Sequence, residues 1–244
     1  MSRADKQLRR KRRKERKYSR ASWSDRTISH LDVDVPPAFR FLEYDITSEP
    51  VCLPDESDPQ LDAVMEDRRE KLFDWTHNHP HRAIPELENL LERFPNSKLL
   101  MNWLTAAYQQ VDEDEKAERL VKICHERYPD YLFAKVNLAA LHLRRGEIAQ
   151  AEAVMQNKWD LKLMYPDRDV FHVSEFVAMA RVAVDYYMLK GNFEAAEPIY
   201  EAMTEIAPDH EITQAMKKCM EASMLEQLLR RLAGRASRRR KLPV

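Results

Sequence analysis

Two stretches decide the architecture: HRAIPELENLLERFPNS, residues 81–97, and EKAERLVKICHERYPDY, residues 115–131. Placed one over the other, Ala83 falls on Ala117, Leu87 on Val121, Leu90 on Cys124, Phe94 on Tyr128 and Pro95 on Pro129, every pair 34 positions apart. Within each stretch the apolar residues return every third or fourth position, the spacing of one helix face. A third copy carries Ala151 and Met155 in the same frame, with Gly146 before them. After an insertion of 11 residues, KGNFEAAEPIYEAMTEIAPDH supplies a fourth, with Ala196 and Pro208 in register and Gly191 five places before Ala196, as Gly146 is before Ala151. Units that repeat at such a period cannot bury their apolar face alone, so they stack on their neighbours.

Each recurring residue has a local physical reason. A small side chain (Ala83, Ala117, Ala151, Ala196) lets two helix axes approach, and the larger apolar residue that follows fills the groove beside it. Pro95, Pro129 and Pro208 have no N–H with which to continue a helix. Gly146 and Gly191 suit the tight turn between helices. Pro85 and Pro198, each two residues after the alanine, are expected in the first turn of their helices, where proline is tolerated. The run LDAVMEDRREKLFDWTH (61–77) reads as one helix opening the first unit.

Over about Leu61 to Asp209 this pattern resembles the tetratricopeptide repeat, a 34-residue pair of antiparallel helices. The resemblance implies an all-α, right-handed superhelix of about four helix pairs. After it, HEITQAMKKCMEASMLEQLLRRLA places Ile212, Met216, Cys219, Ser223 and Leu228 near one face of a capping helix, which Gly234 terminates. The organisation expected is therefore a basic tail (1–20), an extended arm with prolines and aromatics (21–60), the repeats (61–209), the capping helix (210–234) and a second basic tail (235–244).

In this family the first helix of each pair lines a concave surface that commonly holds peptides. The frame set by Pro129 and Pro208 puts Asn102, Gln109, Gln110, Phe133, Asn137, Arg144, Arg181 and Asp185 there. The family's best-known clamp grips a C-terminal carboxylate with lysines, asparagines and an arginine spread over three repeats. Only Asn137 falls on one of its asparagine positions, and Trp103 and Val182 stand at corresponding places, so that mode is not expected. The expected partner is a peptide or helix of another protein, and the expected role a non-enzymatic scaffold or adaptor.

The net charge of −1 conceals a strong polarity. Residues 1–20 hold 11 Lys and Arg against Asp5 and Glu15, and residues 230–244 hold seven and no acid; the 209 residues between carry −17. The cations Arg9, Arg10, Lys11, Arg12, Arg13, Lys14, Arg16 and Lys17, with Arg238, Arg239, Arg240 and Lys241, could each neutralise a phosphate and give salt-sensitive nucleic-acid binding. The same runs suit an acidic protein partner, the chain's own acidic body or a nuclear-import signal, and the sequence leaves these open. An RNA- or ribosome-associated protein is thus the alternative reading. Tyr18 and Trp23 are the limited aromatic interleaving, so base stacking is not strongly suggested.

Chemistry is poorly represented. Three glycines in 244 residues leave no Gly-rich phosphate loop, and GxSxG, HExxH and paired CxxC motifs are missing. HNHPH (His77, His79, His81) is the only histidine cluster and a weak metal candidate, since Pro80 restricts the loop and no cysteine is near. No cofactor is expected. Three widely spaced cysteines, Cys52, Cys124 and Cys219, fit a reducing compartment, so the cytoplasm is the expected location, or the nucleus in a eukaryote. No run of 18 apolar residues spans a membrane.

Overall fold

The computed structural model describes residues 44–48, 59–217 and 220–221. Helix accounts for 74% of these, which places the chain in the all-α class. In chain order the elements are β1 (Asp45–Thr47), α1 (Pro59–Met65), α2 (Arg69–Asn78), α3 (Pro80–Arg93), α4 (Lys98–Gln110), α5 (Asp114–Arg127), α6 (Leu132–Arg144), α7 (Ile148–Met155), α8 (Leu161–Met164), β2 (Val170–His172), α9 (Val173–Leu189) and α10 (Phe193–Ile206). Residues 211–217 are helical as well. The helices pack as consecutive pairs, α2 on α3, α4 on α5, α6 on α7 and α9 on α10. The first helices also meet one another, α2 on α4 and α6 on α9.

The punctuation works as its chemistry requires. Ala83, Ala117, Ala151 and Ala196 are all buried where the helices of a pair meet. The residues just before Pro95, Pro129 and Pro208 adopt nearly one conformation, with φ/ψ of −126/65° at Phe94, −132/65° at Tyr128 and −133/59° at Ala207. The clash with the proline ring holds them out of the helical region. Each still donates its N–H to the carbonyl four residues back. Gly146 and Gly191 take φ of +72° and +68° in the turns. Asp112, 34 positions before Gly146, takes φ 58° without glycine's freedom. A Cβ at Gly191 would meet nothing within 4 Å, so the expense of a side chain there is conformational. Gly191→Ala should therefore lower stability by about 1–2 kcal/mol, measurable by urea denaturation.

Two features depart from the sequence reading, and two more add to it. The expected helix over 61–77 is two helices, α1 and α2, broken at residues 66–68. An unbroken helix would carry Arg68 and Arg69 onto the face that buries Leu61, Met65, Leu72 and Thr76; the break leaves both arginines exposed, and Arg69 pairs with Asp62 at 2.7 Å. Pro85 and Pro198 are each the sixth residue of their helix, not in its first turn. Neither is buried, so each helix tolerates its proline on a side that faces away from the core. A two-stranded parallel sheet joins residues of the expected arm to the insertion, in the register Asp45↔Val170, Ile46↔Phe171, Thr47↔His172. Finally, the insertion adds to the core. Gln156 and Asn157 both take φ 54°, turning the chain so that Trp159, Leu161, Met164 and Phe171 are buried with α9 and α10.

The core has two main apolar clusters. One lies among α1–α5, around Leu87, Leu100 and Met101. The other lies among α6–α10 and the insertion, and takes in Met216 and Met220 beyond α10. Val121, Leu138 and Leu141 pack together between α5 and α6. Of the expected capping face, Ile212 is half-buried and Met216 buried; Cys219, Ser223 and Leu228 lie outside the described residues.

Candidate partner-binding groove

The first helices carry the expected groove residues. Asn102, Gln109 and Gln110 are on α4, Phe133, Asn137 and Arg144 on α6, and Arg181 and Asp185 on α9; none is buried. Asn137 donates its Nδ2 to Asn102 Oδ1 at 3.0 Å, linking α6 to α4. Gln110 Nε2 donates to the Thr76 carbonyl at 2.9 Å, linking α4 to α2. These two bonds join positions 35 and 34 apart, so the repeat period returns as contact between successive first helices. Tyr186 Oη on α9 likewise bonds Glu152 Oε1 on α7 at 2.7 Å, across 34 positions.

The remaining members behave as surface groups. Arg181 Nε reaches Asp185 Oδ2 at 2.8 Å within α9, a solvent-facing pair one turn apart. Such a pair is worth about 0.3–0.5 kcal/mol, so a partner's charges can displace it at little expense. Phe133 is half-buried and edge-on to Tyr131 at 5.6 Å. Arg144 is exposed in the last turn of α6, and Gln109 is half-buried on α4.

Sequence reasoning missed an aromatic step on α2. Phe73 is 50% exposed, 4.3 Å from the His77 ring and edge-on to Trp103 of α4 at 5.7 Å. A large exposed aromatic beside polar groups is the kind of anchor that interfaces use. The only signal in the sequence was the apolar residue itself. His77 donates Nδ1–H to the Phe73 carbonyl at 2.8 Å, which leaves Nε2 facing Glu211 Oε1 at 3.6 Å. That contact joins the first repeat to the helix after α10. His210, next to Glu211, is held below the ordinary histidine range chiefly by burial, with His77 and His172 adding repulsion and Glu211 opposing. His172 is also lowered, chiefly by burial, with Glu175 opposing. His172 caps α9, with Glu175 accepting its N–H at 2.9 Å.

Of the HNHPH residues, His79 sits exposed between α2 and α3 and His81 exposed on α3, while His77 turns to the partners just named. No group of three or more His, Cys, Asp or Glu side chains among the described residues is arranged to hold a metal ion. Cys124 is buried in α5 and burial pushes its thiol up to about 11, which suits packing and not nucleophilic chemistry. The basic residues Arg9–Lys17 and Arg238–Lys241 lie outside the described residues. Among the described residues no helix is long and apolar enough to cross a membrane.

No protein-family model matches the chain, and no curated protein or solved structure matches it.

Proposed function

We propose that this chain is a non-enzymatic interaction scaffold, whose helix pairs wind into a right-handed tetratricopeptide-like superhelix and whose concave groove holds a peptide or helix of a protein partner. The observation that carries the reading is the side-chain hydrogen bonding between successive first helices, Thr76 to Gln110 and Asn102 to Asn137, at the period found in the sequence. These bonds tie α2 to α4 and α4 to α6, and Phe73 on α2 is an exposed aromatic foothold beside them. The motifs of phosphate, metal and acyl-transfer chemistry are missing from the sequence, which favours binding over catalysis. The free, buried thiol of Cys124 suits a reducing, cytoplasmic setting.

The triple variant Asn137→Ala, Arg144→Ala, Arg181→Ala tests the reading in affinity capture from the native cell. None of the three is buried, so the fold should survive with stability changed by no more than about 1 kcal/mol. Partner recovery should fall about tenfold or more, the equivalent of about 1.4 kcal/mol of binding. Unchanged recovery by the folded variant counts against groove binding.

The charge runs favour a second reading, in which the tails bind RNA or a ribosomal surface and the helical body is accessory. Affinity for generic RNA should then fall steeply with salt, with a slope that disappears when residues 1–20 are removed. Absence of binding at low salt eliminates this alternative.

A further inference from the structure

The insertion between α7 and α9 has no counterpart in the other repeats, yet it builds a seat on which another segment packs. Its floor is made of Trp159, Asp160, Leu161 and Phe171, with Phe171 at 0% exposure and Asp160 at 3%. Asp160 Oδ1 accepts the N–H groups of Lys162 and Leu163, which locks the carboxylate at the start of α8. Arg168 grips both oxygens of Glu175 and lies over the Phe171 ring at 4.3 Å, holding the far side.

The present occupant of that seat is the segment 44–48. Asp45 donates its N–H to the Asp169 carbonyl at 2.8 Å, and three residues pair in parallel with β2. Tyr44 meets Phe171 edge-on at 5.2 Å, and its hydroxyl faces Asp160 Oδ2 at 3.4 Å, a long hydrogen bond. Ile46 packs on the same cluster two residues later, so alternate side chains point into the floor. The floor is fully buried while Tyr44, Ile46 and Thr47 are only half-buried and Asp45 is exposed. A two-stranded pairing this short is marginal by itself. Its partners are 125 positions apart, so nothing local in the chain enforces it.

We propose that the edge of β2 with the Phe171–Asp160 floor is a receptor for an extended peptide, that residues 44–48 are its built-in occupant, and that a strand supplied in trans can take their place. The trans ligand carries an aromatic hydroxyl at one position and a β-branched apolar residue two further on. Main-chain pairing supplies affinity and the two inward side chains supply selectivity. Departure of the arm uncovers Phe171 and leaves Asp160 without its aromatic cover, which favours refilling by another strand. The proposal goes beyond groove binding and does not depend on it, since none of the seat residues Trp159, Asp160, Leu161 and Phe171 is a groove residue.

The test uses the full chain with Tyr44→Ala and Ile46→Asp, which unseats the arm without touching the floor. The probe is a labelled synthetic peptide of residues 41–50, FLEYDITSEP. The unseated chain should bind this peptide about tenfold or more tightly than the wild-type chain does, because the wild-type arm competes at an effective concentration of about millimolar. A peptide carrying the same two substitutions should not bind. A folded double variant that ignores the peptide, or equal binding to both chains, overturns the proposal. Should the double variant lose its helical signal, hydrogen exchange on the wild-type chain decides. The Asp45 amide should exchange about a hundredfold faster than the buried amides of α9, by local release of the arm. Exchange of Asp45 only at the rate of global unfolding overturns the proposal.

Discussion

Replacing Trp159 with alanine is expected to lower the free energy of unfolding by about 3–5 kcal/mol. The ring is 1% exposed and stacks on Tyr186 with centroids 4.0 Å apart and planes 14° from parallel. Tyr186 is itself tied to α7 through Glu152, which also receives Lys190 from the end of α9. Trp159 therefore stands where the insertion, the third pair and the fourth pair meet, and its removal leaves a cavity that none of the three can close alone. Phe73→Ala is the control: a side chain half in solvent should change stability by no more than about 1 kcal/mol. Urea unfolding of both full-length variants, followed by helical signal, checks the pair. A Trp159→Ala change no larger than that of the control would mean that the insertion is peripheral to the core.

Asp160→Asn should stabilise the protein at neutral pH and do nothing in acid. Burial pushes the Asp160 carboxyl up to about 6 from its ordinary 3.8, against the lowering effect of the N–H groups of Leu163 and Lys162 and the Tyr44 hydroxyl. The folded-state value exceeds the unfolded one, so the native state holds the extra proton between them. The stability contributed by this group is fully present below about pH 4 and is lost as pH rises through about 6. At pH 7 the native state carries a buried carboxylate at a cost of about 3 kcal/mol. Asparagine keeps an oxygen to cap α8 and cannot ionise. The variant should be more stable than the wild type by about 2–3 kcal/mol near pH 7.5, the two converging near pH 4. His172 and His210 act in the opposite sense. Their folded-state values are depressed, so both proteins lose stability as pH falls below about 6.5, and this common effect cancels in the comparison. A gap that stays constant from pH 4 to 8, or a wild type that is the more stable at pH 7.5, contradicts the assignment.

What the sequence made legible were the positions where one residue's own chemistry decides the local structure. Proline ends α3, α5 and α10 because it lacks an N–H and restricts its predecessor, and glycine turns the chain at 146 and 191 because it accepts positive φ. Small alanines mark the crossings because volume alone sets how near two helices come. The break between α1 and α2 was hidden because Leu61, Met65, Leu72 and Thr76 keep helical phase across it; only the charged run at 66–71 spoke against one helix. Pro85 and Pro198 were placed in register with each other correctly but in the wrong turn, because α3 starts at Pro80 and α10 directly after the Asn192 cap, five residues ahead of each proline. The β1–β2 pairing was illegible, since each strand has three residues and their partnership is purely tertiary. The residues expected in the groove, placed from the frame, all face solvent at least in part. That Asn102 would bond Asn137, and that His77 would meet Glu211, depends on how neighbouring pairs are rotated, which no single stretch encodes.

Groove binding is tested most directly by photocrosslinking from inside the native cell, with a benzophenone side chain at position 137 or 181 and, as the control, at exposed Arg119 on α5, the second helix of its pair. A partner protein should crosslink from 137 and 181, and those adducts should disappear when the remaining groove residues are changed to alanine. Crosslinks that form equally from position 119, or that survive loss of the groove side chains, would contradict binding in the concave groove.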